Sequence, residues 1–162
     1  MKPVINIDEL EYVDDGENLV GRHADVSEQI GGQKLGYNIA ICPVGKSTCP
    51  FHNHRINEEM FMILEGTGLL RFGKDEYPLR PLDIIACPPG DQSVAHEIIN
   101  TGDVDLKYLA LATNIADEVC EYPDSGKVGI YVGEKNNRFR HLYHIDKDTD
   151  YYDGETNKRL FK

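Results

Sequence analysis

The sequence predicts an all-β fold, an antiparallel sandwich or barrel, on three observations. Apolar runs of strand length recur between residues 35 and 112. Glycine, proline, asparagine and aspartate residues, which favour turns, separate these runs. No helical period is sustained over three turns between residues 35 and 113. Many short strands joined by frequent turns are typical of antiparallel sandwiches and barrels.

The predicted strands follow one another at short intervals. The central ones are residues 35–42, 60–64, 69–72, 84–87, 93–99 and 106–112. After residue 113 the sequence becomes polar, and we predict one short helix at residues 115–121 and a further strand at residues 128–132.

A chain of 162 residues fits one domain with a single apolar core. We expect three parts within it. Residues 1–34 form an acidic N-terminal arm that packs on the body, residues 35–113 form the barrel core, and residues 114–162 form a C-terminal extension of the same domain.

The composition limits the classes of partner. Hydrophobic residues make up 40% and charged residues 28% of the chain, as in ordinary soluble domains. The net charge of −11 argues against nucleic acid, because phosphate neutralisation needs clustered lysine and arginine. The longest apolar stretch, residues 60–64, is too short to cross a bilayer, and the first residues lack a signal-peptide pattern. We therefore expect a cytoplasmic protein without disulfides, in which Cys49 is a candidate neighbour of the site described next.

A pair of histidines carries the strongest chemical signal. In an extended strand, residues two apart share a face and lie about 6–7 Å apart. His52 and His54 can therefore aim both imidazoles at one point, while Asn53 faces away. Glu59 begins the next apolar run, and a tight turn over residues 55–58 can return it to the histidines. A carboxylate at the start of an apolar face needs a partner, which a metal ion would supply.

A third imidazole lies on a different predicted strand. His96 shares a strand face with Ile98. Three imidazoles and one carboxylate can hold a divalent ion and leave one or two positions open for water or substrate. The alternative is that the histidines are surface or hydrogen-bonded core residues and that Glu59 pairs with Arg55 or Lys46. The strand position of all four candidates favours the metal site.

The spacing of these residues resembles the first motif of the cupin superfamily. That motif has His-x-His, three or four residues, a glutamate, six further residues and a glycine. This sequence has four residues between His54 and Glu59 and six between Glu59 and Gly66. Glu58 is a rival ligand, but only Glu59 keeps both the spacing to Gly66 and the strand face of Phe61.

The second cupin motif follows in order as Pro88-Pro89-Gly90 and then His96-Glu-Ile-Ile-Asn100. The sequence departs from this motif in the spacing before the third histidine and in the residue at the start of the motif. Five residues rather than two separate Gly90 from His96, and Leu82 stands where the motif usually begins with glycine. The resemblance covers residues 35 to 113.

The resemblance implies an antiparallel double-stranded β-helix, the cupin or jelly-roll barrel, with N- and C-terminal arms wrapped on it. It also implies a homodimer and a small-molecule ligand inside the barrel. The whole chain is similar to a bacterial group of stand-alone cupins that bear the provisional name of sugar-phosphate isomerases, a name inherited with the fold. A site of three histidines and one glutamate does not by itself distinguish between Zn, Fe, Mn and Ni.

Three functions remain open, and we rank them in the order given. The first is a metal-dependent isomerase or epimerase of a sugar or sugar phosphate, in which a carboxylate, with Glu59 as the candidate, or a metal-bound hydroxide carries the proton and Arg55 holds an anionic group. The second is an Fe(II)-dependent dioxygenase. The third is a non-catalytic cupin that binds a small molecule and uses the metal as a clamp or staple.

Overall fold

The computed structural model describes residues 2–14 and 21–155. Within them the chain folds into antiparallel β-sheets. The strands within these residues are β1 (Val13–Asp14), β2 (Arg22–Asp25), β3 (Leu35–Cys42), β4 (Asn53–His54), β5 (Glu59–Glu65), β6 (Gly68–Phe72), β7 (Asp75–Leu79), β8 (Ile84–Cys87), β9 (His96–Ile99), β10 (Leu106–Thr113), β11 (Glu118–Tyr122), β12 (Lys127–Val132) and β13 (Phe139–His144). The predicted all-β fold is confirmed.

Helical structure in the described part of the chain is confined to short segments. They are the four-residue α1 (Ser27–Ile30) and 3₁₀ turns at Ile7–Glu9, Gln92–Val94, Pro123–Ser125, Lys135–Asn137 and Ile145–Lys147. None of these segments has the length and apolarity that a membrane-spanning helix requires.

A six-stranded sheet and a three-stranded sheet enclose the barrel core. The strand orders are β1-β2-β3-β10-β5-β8 and β7-β6-β9. β10 pairs with β3 along its whole length, from Leu106 opposite Cys42 to Thr113 opposite Leu35. Buried side chains from both sheets form one apolar cluster: Ala40, Cys42, Phe61, Ile63, Leu70, Leu79, Ile85, Cys87, Ile98, Leu106 and Tyr108.

Strand β5 shows why the six-stranded sheet is buried on both faces. Phe61 and Ile63 point into the barrel core, and Ile63 is fully buried, which stabilises the fold by about 1.5–3 kcal/mol. Leu64 faces the other side and packs against a second apolar cluster that contains Leu10 and Val26. Residues of the N-terminal segment therefore cover the outer face of this sheet.

A four-stranded sheet, in the order β13-β12-β11-β4, joins the C-terminal residues to the barrel. The prediction of a helix at residues 115–121 is wrong, because Glu118–Tyr122 pairs with both β12 and β4. The predicted strand at residues 128–132 is confirmed within Lys127–Val132. The division into arm, core and extension stays a prediction.

Candidate metal centre

Strand β4 and the residue before it present two histidines to the barrel interior. His52 precedes the strand and His54 ends it, while Asn53 between them is fully buried on the opposite face. The Asn53 amide donates to Gly90 O at 2.9 Å and to Glu121 Oε2 at 2.8 Å. Because side chains alternate along an extended strand, the residues on either side of Asn53 share the other face, and both imidazoles turn towards the same interior point.

The Glu59 carboxylate, at the start of β5, lies at that point. Its Oε2 is 3.7 Å from His52 Nε2, 3.3 Å from His54 Nε2 and 2.9 Å from His96 Nε2. Glu58, the rival ligand, is exposed to solvent. The structure thus brings together the four residues that the sequence proposed as metal ligands.

His96 arrives on β9, which pairs with β6. The long loop before it does not displace it, because residues Gln92–Val94 take up the additional length as a 3₁₀ turn. Asp91 caps this turn by accepting a hydrogen bond from Ser93 N at 2.9 Å. His96 itself is buried and forms an isolated antiparallel bridge with His52.

Each imidazole places Nδ1 against an oxygen and Nε2 towards Glu59. The Nδ1 distances are 2.7 Å from His52 to Pro50 O, 3.3 Å from His96 to Val94 O and 3.2 Å from His54 to Glu118 Oε2. Carbonyl and carboxylate oxygens only accept, so each Nδ1 carries a proton, and each Nε2 is the nitrogen that would face an ion. His54 Nε2 is buried without a hydrogen-bond partner among the described residues. An unsatisfied, inward-facing ring nitrogen beside an ionised carboxylate fits a divalent cation.

The cluster shifts the pKa values of its members in opposite directions. Burial alone would raise the pKa of Glu59, but the three surrounding imidazoles outweigh it and hold that pKa well below the ordinary range. Burial alone would lower the pKa of His54, but Cys120 and Glu59 beside it raise that pKa above the ordinary value. The metal-free site therefore holds an ionised carboxylate against cationic imidazole, a charge arrangement that an ion can replace.

Two cavities meet at the cluster. The first, of about 210 Å³, is lined by His52, Glu59 and His96 together with Thr48, Tyr108 and Glu97. The second, of about 320 Å³, lies on the other side and is lined by His52 and His54 together with Tyr122, Tyr131 and Arg138. Cys49, the candidate neighbour, lines both. A bound ion would be reachable from either side.

Arg55 lies apart from this arrangement. Its guanidinium donates to Glu121 Oε1 at 2.8 Å, and it is not among the described residues that line either cavity. It lines a separate surface depression with Phe51 and Asp91. The structure therefore does not bring Arg55 to the other predicted site residues.

The sequence reasoning missed several residues of the site. Glu118 and Cys120 contact His54, and Tyr108 bonds to Thr48 in the first cavity. An interpretation of the run Glu-Val-Cys-Glu-Tyr as a strand would have put Glu118 and Cys120 on one face, because residues two apart in a strand share a face. No local pattern indicates which strand they meet.

Comparisons with known proteins agree with this geometry. Residues 38–112 match the family model described as a cupin domain. An uncharacterized protein of Methanocaldococcus jannaschii is 36% identical over 92 residues, which are 57% of this chain and 63% of that protein. The chain thus spans less than two thirds of the length of this curated relative.

Two solved structures share the fold over nearly the whole chain. A protein provisionally named sugar phosphate isomerase from Acidithiobacillus ferrooxidans superposes with a TM-score of 0.78 at 22% identity, covering 91% of this chain and 96% of that one. A sugar phosphate isomerase of the cupin superfamily from Silicibacter pomeroyi gives 0.77 at 21% identity, covering 90% and 94%. Identities this low show the fold alone. Residues 38–112 of this chain are thus similar to the cupin domain, and the fold around them is that of the two solved structures.

Proposed function

We propose that this cupin protein binds one divalent metal ion through His52, His54, Glu59 and His96 and isomerises or epimerises a small sugar or sugar phosphate. One observation carries the metal site: three Nε2 atoms converge on one Glu59 oxygen at 2.9 to 3.7 Å. Such an ion would act as a Lewis acid that polarises a carbonyl and its neighbouring hydroxyl. Zn, Fe, Mn and Ni all suit imidazole and carboxylate ligands.

The residues around the cluster support a small polar substrate. A volume of about 210 Å³ is below the roughly 300–1,000 Å³ of sites for drug-sized ligands. The Tyr108 phenol hydrogen-bonds to Thr48, and burial raises the pKa of Tyr108, so the phenol keeps its proton and can donate to a substrate oxygen. The low pKa of Glu59 keeps its carboxylate ionised, which suits a metal ligand but makes it a weak base for a substrate proton.

Arg138 is a better candidate than Arg55 for holding an anionic group. It lines the second cavity beside His52 and His54. Its hydrogen bonds go to the carbonyl oxygens of Gly133 at 3.4 Å and Ala116 at 3.3 Å, and it forms no ion pair with the described residues. A guanidinium without a carboxylate partner can bind a phosphate with two hydrogen bonds. The names of the two structural neighbours agree with such a substrate.

The first test measures the metal in native protein purified without chelator or affinity-tag nickel. We expect about one equivalent by plasma mass spectrometry, lost in Glu59→Gln and kept in His141→Ala. His141 is an exposed histidine of β13 and serves as the matched control. A wild-type protein that takes up none of Fe, Mn, Ni or Zn would contradict the proposal.

The second test assigns the reaction. The loaded protein is incubated with aldoses, ketoses and their phosphates, and interconversion is followed by NMR. We expect turnover of phosphorylated sugars, with a raised KM in Arg138→Gln and an unchanged KM in Arg140→Gln, whose guanidinium lies over the Tyr131 ring. Iron loading with oxygen consumption would favour a dioxygenase, and tight binding without turnover a binding module. The expected homodimer and cytoplasmic location stay predictions.

A further inference from the structure

Glu118, the first residue of β11, is a buried carboxylate outside the cupin domain. Only 6% of the residue is exposed. Its Oε1 accepts backbone N–H groups from Arg55 and Ile56 at 3.1 Å and from Val119 at 2.7 Å. Its Oε2 accepts from Asn57 N at 2.8 Å and from Asn57 Nδ2 at 2.7 Å. The carboxylate therefore organises the loop that joins the His54 strand to the Glu59 strand.

The same Oε2 also lies 3.2 Å from His54 Nδ1. An ionised carboxylate can only accept, so this contact requires a proton on Nδ1. With Nδ1 donating to Glu118, the ring is fixed with Nε2 pointing at Glu59, 3.3 Å away. A carboxylate behind a ligating imidazole sets both the ring orientation and the nitrogen left for the metal.

The alternative is that Glu118 helps to bind a second metal ion. His54, Glu118 and Cys120 offer ligand atoms that all lie within 4.8 Å of one another. However, a carboxylate has about four acceptor sites, and donors already surround both oxygens of Glu118. An ion here would have to displace the hydrogen bonds that hold the loop together. The geometry favours orientation of His54 over a second ion.

We propose that Glu118 is a positioning residue of the metal centre: it holds His54 with the proton on Nδ1 and so directs Nε2 to the ion. Strand β11 supports this role, because Cys120 lies opposite His54 and Glu121 opposite Asn53 in the β11–β4 pairing. The expected effect of Glu118 on metal affinity rests on the proposed function, in which the site binds a metal ion. The hydrogen bond between Glu118 and His54 does not depend on it.

The test compares the zinc affinity of Glu118→Gln with that of Glu121→Gln. Glu121 lies on the same strand, and the substitution is the same isosteric loss of charge, but its bonds go to Asn53 and Arg55 rather than to a ligand. We expect zinc to bind about 10–100-fold more weakly to Glu118→Gln and within about threefold of wild type to Glu121→Gln. Equal losses in the two variants would overturn the proposal.

A second measurement needs no variant that might misfold. Nitrogen-15 NMR of wild-type protein should show a hydrogen-bonded, slowly exchanging proton on His54 Nδ1 with and without zinc. An Nδ1 without a proton, accepting from the Cys120 thiol 3.3 Å away, would overturn the proposal. So would a second equivalent of zinc that disappears in Cys120→Ala. If wild-type protein bound none of Zn, Fe, Mn and Ni, the proposed function would fail while the metal-free spectrum still tested the Glu118 contact.

Discussion

His52 and His96 exchange two backbone hydrogen bonds, from His52 N to His96 O at 3.1 Å and from His96 N to His52 O at 2.7 Å. Residues paired in this way in an antiparallel ladder lie directly opposite and share a face. The ring centroids are accordingly 4.7 Å apart. The backbone therefore aligns candidate ligands from the two sequence motifs without help from the imidazoles or from an ion.

Replacement of either histidine by alanine should therefore remove the metal and leave the fold. We expect His52→Ala and His96→Ala to lose about one equivalent of metal, with a far-UV circular dichroism spectrum like that of wild type. Stability without metal should fall by about 1–3 kcal/mol in His96→Ala, since the Glu59 carboxylate loses the imidazole that lies 2.9 Å away. A variant without a cooperative unfolding transition would show that the imidazoles, not the backbone bridge, hold the motifs together.

Metal affinity should increase with pH. Although burial opposes it, Cys120 and Glu59 raise the pKa of His54, so the metal-free imidazole carries a proton that the ion displaces. One displaced proton weakens binding about tenfold per unit of pH below that pKa, or about 100-fold from about pH 8 to about pH 6. Calorimetry in two buffers of different ionisation enthalpy should detect about one proton released per zinc. An affinity that stays constant across this range would contradict the expectation.

Leu82→Gly should stabilise the protein. Leu82 has φ of 75°, a left-handed conformation, and its side chain is exposed, with 72% of the residue accessible. A side chain in this conformation destabilises the folded state by about 1–2 kcal/mol. Glycine removes this cost, but it makes the unfolded chain more flexible, which offsets about 0.4–1 kcal/mol of the gain. We expect a net gain of about 0.5–1 kcal/mol in urea denaturation. Leu82→Ala keeps the Cβ atom and should show no gain, so an equal gain in both variants would refute the conformational cause.

Alkylation of the folded protein should stop at Cys49. It is the exposed thiol, whereas Cys42, Cys87 and Cys120 are buried, and burial raises the pKa of Cys87 to about 12. Because only thiolates react, iodoacetamide at about pH 8 should add about one label per folded chain and about four in urea. The Cys49→Ser variant should take up none while folded. Labelling of Cys87 under these conditions would show that the barrel core opens.

Much of the barrel could be predicted from the sequence, because its strands carry their own local patterns. Glu59, Phe61 and Ile63 alternate with outward-facing residues, and that alternation identified Glu59 rather than Glu58. Leu82 stands where the motif usually begins with glycine, and its backbone adopts a left-handed conformation, which glycine favours.

The rest of the site depends on contacts that no local pattern encodes. The prediction of a helix at residues 115–121 is wrong because the strand there forms through pairing. One of its partners, β4, lies far away in the chain and is only two residues long, so no local pattern indicates it. Arg55 follows a ligand directly in sequence, but the backbone turns it outward to Glu121. The Glu118 contact with His54 joins residues 64 positions apart, a distance at which periodicity carries no information.

Strand β11 pairs with β4 but lies beyond residues 38–112, which match the cupin domain. During synthesis, the proposed ligands leave the ribosome before Glu118 does. A nascent chain that ends at residue 112 holds all four ligands and lacks the strand that supports His54. We expect the ion to be acquired late, once the final part of the chain has been translated. Transplanting residues 38–112 into another protein would transfer the ligands without their support.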